Sequence, residues 1–178
     1  MKILEKLPHI GMRKLKSILA MFIGFWVWQL VRVLFPGLEV HPHFIYIYGL
    51  LEIRPTSEKT KELGKSRIKA TVTAICVALP VIALSECLQG SVSAQWAKVA
   101  IELILLMVGS LVTLTVAEKV GCKTFCGVAA AVFIILTLLH TDDERYIYSV
   151  LRAFQTILGV AIAWLINVKL FPYHGKKG

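Results

Sequence analysis

Two arginines stand four residues before a threonine: Arg67 before Thr71 in "SRIKAT", where a basic linker opens into an apolar run, and Arg152 before Thr156 in "LRAFQT", within an apolar run. Residues four apart share a helix face, so each pair presents a guanidinium beside a hydroxyl. That combination suits a carboxylate, because the planar fork of Arg grips both oxygens where Lys would act as a point charge. An arginine inside an apolar span is costly, and it marks a water-filled path or a buried partner. For Arg152 the bland alternative is snorkelling to the interface or pairing with Asp142, Asp143 or Glu144. Two carboxylates sit where proton exchange is conceivable: Glu102, a little way into an apolar run, and Glu52 at the end of another. Low dielectric favours the neutral acid, which could then pick up and release protons through a transport cycle. The structural alternative for Glu102 is a pairing with Arg32 or Lys98.

Other chemistry is sparse. The histidines of "HPH" at 41 to 43 have a spacing that can chelate a metal, but no carboxylate or cysteine follows at a typical distance, so they read as loop residues. Cys76, Cys87, Cys122 and Cys126 form no CxxC pair and read as small buried residues. The acidic "TDDE" at 141 to 144, beside His140, lacks a second acidic cluster; a helix start explains it, with Thr141 or Asp142 as cap. Phosphate-binding glycine loops, nucleophile elbows and zinc helices are absent. Neither a metal nor a cofactor is expected, and the chain does not read as an enzyme.

The elements that must position these residues are membrane helices. At 57% hydrophobic and 17% charged, with a mean hydropathy of +0.71, the chain has too much apolar surface for a soluble domain of 178 residues. A helix crossing the hydrocarbon core needs about 20 mostly apolar residues. Six stretches qualify: Leu15 to Phe35, Phe44 to Ile53, Ile68 to Leu88, Trp96 to Ala117, Thr124 to Leu139 and Ile147 to Leu170. The second is short enough to be re-entrant or buried within the bundle. The fold expected is therefore an all-α integral membrane domain over residues 1–178, with six transmembrane helices. The N-terminal run is too long for a signal peptide core, contains Trp26 and Trp28 and lacks a small-x-small cleavage site, so it is expected to be retained. "MKILEKL" suits an interfacial helix ended by Pro8.

Cytoplasmic loops keep the positive charge. With the N-terminus inside, residues 1–14, the loop 54–67, the turn near Lys119 and Lys123, and the tail 171–178, with the helix ends flanking them, collect sixteen of the twenty Lys and Arg. The outer side keeps Arg32, Lys98, Arg145 and Arg152 together with Glu39, Glu86 and the acidic loop. The net charge of +9 is thus a topology signal and does not imply a nucleic-acid partner.

A shift of 85 residues lays 55–71 on 140–156 and matches Thr56 with Thr141, Glu58 with Asp143, Arg67 with Arg152 and Thr71 with Thr156. The same register aligns Ala70, Ala74 and Ala78 with Gln155, Gly159 and Ala163, and Gly24 with Gly109. Two three-helix repeats would be inverted, because three crossings reverse direction. Arg67 would then lie at the inner mouth and Arg152 at a matching depth from the outer one. The small-residue ridge reads as helix packing. Trp26, Trp28, Phe44, Tyr46, Tyr48 and Phe154 read as interfacial anchors, with an aromatic slot as the alternative.

The pattern "RPTSEK", a basic linker, then "SRIKAT", with "HTDDERYIYSVLRAFQTILGVAIAWLIN" and "FP" later, resembles the aromatic acid exporter family, the branch close to fusaric acid resistance proteins. The resemblance implies a six-helix domain in a bacterial plasma membrane, both termini cytoplasmic, that exports aromatic carboxylates; plant malate channels share the architecture distantly. Larger members use two such domains, which implies a homodimer here. Many relatives continue into a cytoplasmic domain where this sequence reads "FPYHGKKG". The readings set against an exporter are a passive organic-anion channel, a membrane-embedded metal-dependent enzyme using the 141–144 loop, and a structural or partner-binding membrane protein.

Overall fold

A computed structural model of the chain describes residues 11–36, 40–138 and 144–171. The expected interfacial helix with Pro8, Glu39, the cap at Thr141 or Asp142 with its neighbours His140 and Asp143, and the tail beyond Phe171 lie outside the described residues, as do the side chains of Glu144 and Arg145. Among the described residues all regular structure is helical: α1 (Met12–Leu34), α2 (His43–Leu51), α3 (Ser57–Gly90), α4 (Gln95–Lys119), α5 (Cys126–Leu138) and α6 (Glu144–Trp164). A 3-10 turn, Lys123–Phe125, leads into α5, and α6 continues as a π-helical turn over Leu165–Leu170.

Four helical stretches are long and apolar enough to cross a membrane: Met12–Leu34, Ser57–Gly90, Gln95–Lys119 and Tyr146–Leu170. This is compatible with an all-α membrane protein. The other two expected spans are short. The nine residues of α2 rise about 13 Å and the thirteen of α5 about 20 Å, against a hydrocarbon core of about 30 Å.

The segment 54–67, expected as a loop, is helical from Ser57 onward. Thr56 starts it, its Oγ1 accepting from Lys59 N–H at 3.3 Å, and the Lys and Glu residues that follow are strong helix formers. α3 therefore runs 34 residues, with Pro80 inside it. α4 stops for a backbone reason. Gly121 takes φ +85°, which a side chain would disfavour, while Cys122 N–H reaches Ala117 O at 2.9 Å and Gly121 N–H reaches Glu118 O at 3.0 Å.

The chain forms two compact units, one from the residues up to Leu63 with those from Leu158 onward, the other Gly64–Ile157. In the first, α1 and α2 pack antiparallel with the end of α6 around Ala20, Trp28, Ile45, Ile53, Ile162, Ala163 and Ile166. Missing side chains set the spacing. A Cβ on Gly24 would lie 2.6 Å from Ile45 Cγ2, and one on Gly159 would meet the α2 backbone at Ile45 O, 3.1 Å away. Trp28 is wholly buried and donates from Nε1 to Val40 O at 3.2 Å, so it is a core residue and no interfacial anchor, whereas Trp26 is exposed.

In the second unit α4 and α5 pack closely, a Cβ on Gly109 falling into the Phe133 ring. Ala70, Ala74 and Ala78 are wholly buried, as packing of the small-residue ridge requires. Outward, α4 presents Leu103, Ile104, Met107 and Leu111, all exposed. An uncovered apolar stripe of this kind suits lipid.

Candidate functional site

Arg67 and Arg152 are both buried in the second unit, 6% and 3% exposed, so Arg152 does not snorkel to an interface. Arg67 lies with its guanidinium carbon 4.6 Å from the centre of the Phe125 ring. The stack covers one face of the cation. Phe125 went unnoticed in the sequence because nothing local links it to residue 67.

The two threonines differ. Thr71 is buried, and its Oγ1 has no hydrogen-bond partner among the described residues. The Thr156 hydroxyl instead donates to Arg152 O at 2.9 Å, within its own helix. Around Arg152 the buried stripe of α6 is otherwise polar, with Ser149 and Gln155. Spacings of three and four between 149, 152, 155 and 156 made that stripe legible, although only Arg152 and Thr156 were singled out.

The unit has two distinguishable ends. At one lie the start of α3 and the end of α4, where Ile68, Val72, Val116 and Val120 line a shallow groove, together with Arg67 and Phe125. Burial there pushes the Cys122 thiol up, Lys69 opposing and Cys126 adding to the shift, so Cys122 stays a protonated thiol at neutral pH. At the other end a cavity of about 150 Å³ is lined by Ser85, Glu86 and Gln89 of α3, Glu102 of α4 and Thr137 of α5. Tyr146, near the start of α6, donates to Glu86 Oε2 at 3.4 Å. Arg152 lies six residues further along α6, about 9 Å in from that end.

Glu102 is exposed at this cavity. Glu52 is 0% exposed in the first unit, where it forms the C-cap of α2 with its N–H on Tyr48 O at 3.0 Å.

The first unit holds a polar cluster that the sequence reading missed. Asn167, in the π-helical end of α6, donates from Nδ2 to Thr60 Oγ1 at 2.8 Å and to Arg54 O at 2.9 Å. Its Oδ1 accepts from the buried Lys16 Nζ at 3.0 Å, and Lys16 also reaches Phe171 O at 2.6 Å. Arg13 Nε donates to Ile53 O at 3.1 Å and Ser17 Oγ to Leu50 O at 3.2 Å. The start of α1, the end of α2, the start of α3 and the end of α6 therefore meet at one end of this unit. A lone amide in the apolar run "WLINVKL" was the available signal.

The aromatic residues divide. Trp28 and Tyr48 are buried in the first unit, Phe44 stacks loosely on Tyr48 at 6.1 Å between centroids, and Phe154 is exposed in the second unit. His41 and His43 stack on each other at 5.4 Å. Among the described residues, no group of three His, Cys, Asp or Glu side chains is placed to hold a metal ion. Searches against protein-family models, curated proteins and solved structures return no match to this chain.

Proposed function

We propose that the protein carries small organic anions, aromatic carboxylates among them, across a membrane, with Arg67 and Arg152 holding the carboxylate at successive points of one path. The observation that carries this reading is the burial of two guanidinium groups in apolar helices, one of them stacked on Phe125 a turn from a buried hydroxyl with no hydrogen-bond partner. A buried arginine in a membrane helix defaults to a functional role. An aromatic carboxylate matches it with two oxygens for the fork and a ring for apolar surroundings.

Six crossings with both termini on one side belong to the same proposal. α1 starts and α6 ends at one end of the first unit, where α2 also ends, so α2 returns the chain to the side where it began. In the second unit α3, α4, α5 and α6 alternate in direction. Two inverted three-helix repeats fit this pattern: α2 and α5 are both short, Gly24 and Gly109 each admit the following helix, and each hairpin packs on the later part of a long third helix. Short segments in corresponding positions of two halves are a pointer to a transporter's binding region. We place the chain in a bacterial plasma membrane as a homodimer with its basic ends in the cytoplasm, and Glu52, with Glu102 as an outer candidate, as the proton-exchanging group if transport is coupled.

Equilibrium binding of a labelled hydroxybenzoate to purified protein tests the site. Wild type should bind saturably, with affinity lowered at least about tenfold by Arg67→Lys, which keeps the charge and loses the fork. Equal affinity in wild type, Arg67→Lys and Arg152→Gln would overturn the assignment of both arginines.

A further inference from the structure

The first unit carries a groove that the anion path does not use. It lies between α1 and α2 at the end where α1 begins, with a volume of about 670 Å³, in the range of small-molecule sites. Arg13, Lys14 and Arg54 line one part of it, and Ile18, Leu50 and Leu51 the other. Arg13 is fixed through Nε on Ile53 O, and its terminal nitrogens find no acceptor among the described residues. Arg54 Nε is buried with no hydrogen-bond partner among them. The groove also includes Gly11, which caps α1 without a side chain, and the first turn of α1 holds no acid, so the partial positive charge of the helix start adds to the three cations.

The apolar part faces outward. Ile18 is 53% exposed, Leu50 44% and Leu51 43%, each within two turns of the cations. Cations at a helix end beside an outward apolar strip match a molecule with a phosphate at headgroup depth and hydrocarbon below it. A second copy of this chain is a poorer occupant. A two-fold interface centred here would set Arg13, Lys14 and Arg54 against the same three cations.

We propose that this groove holds one anionic phospholipid of the leaflet on the side where α1 begins, its phosphate on Lys14, Arg13 and Arg54 and its chain along Ile18, Leu50 and Leu51. The site does not depend on the transport reading, and a protein that moves no anion would still show it.

The test is native mass spectrometry of the full chain in detergent, titrated with phosphatidylglycerol or with phosphatidylcholine of the same chains. Lys14→Gln/Arg54→Gln is the test variant, since Arg13 also holds Ile53 O, and Lys119→Gln/Lys123→Gln on the second unit is the control. Thermal melts establish that both fold. Wild type and control should retain one phosphatidylglycerol with about a tenfold preference over phosphatidylcholine, and the test variant should lose that preference. Equal retention of the two lipids by wild type, or a preference that survives in the test variant, would overturn the proposal. Displacement of the lipid by equimolar glycerol phosphate would overturn it as well, by making the groove a site for a soluble anion.

Discussion

Arg67 and Arg152 are buried, and the side chains near them decide what each guanidinium can do. Phe125 stacks on Arg67, and Thr71 stands a turn away with its hydroxyl buried. Asn167 works differently, because its amide is fully used in joining α6 to the start of α3 and to Lys16. Asn167→Leu should lower stability by about 2–4 kcal/mol in a denaturant titration in detergent, since it removes three hydrogen bonds and strips a buried ammonium of one acceptor. A loss within measurement error would mean that the cluster is re-satisfied by water. Glycines give a sharper contrast. Gly109→Ala should cost about 1–3 kcal/mol because its methyl enters the Phe133 ring, while Gly127→Ala, with nothing near the added Cβ, should be neutral or slightly stabilising. Equal melting of the two variants would show that Phe133 moves aside freely.

The helices follow hydropathy closely where a run is long and uniform: α1 and α4 lie within a few residues of their apolar stretches, α6 with its π-helical turn covers its own, and α3 contains its stretch but starts well before it. Charge misled at 54–67, because the same Lys and Glu residues that keep a segment out of lipid also favour a helix in water, and Thr56 supplies the cap. Arginine positions were legible from their rarity in apolar sequence. Partners distant in the chain were not: Phe125 reaches Arg67 and Asn167 reaches Lys16 only through tertiary packing. The short α2 and α5 give the crossing count its own test. In proteoliposomes or cells, single-cysteine variants Glu58→Cys and Ser91→Cys, built without the native cysteines, should react with a membrane-impermeant maleimide from opposite sides, Glu58→Cys from the side of the N-terminus. Six crossings require that result. If α2 and α5 did not cross, Glu58→Cys would label from the side opposite the N-terminus.

At the scale of the whole molecule, an apolar exterior, basic helix ends and two buried arginines are the features on which the proposed anion carrier rests. The most direct measurement is the flux of a labelled hydroxybenzoate through proteoliposomes carrying the full chain, with and without an imposed pH gradient, beside an Arg152→Gln variant of equal thermal stability. The account predicts saturable flux that falls at least about tenfold in the variant, the scale of one lost charged hydrogen-bond partner. Dependence on the gradient would make the protein a proton-coupled carrier, and indifference to it would make it a channel. Folded wild-type protein that passes neither hydroxybenzoate nor other small carboxylates, or passes them equally well without Arg152, would contradict the account.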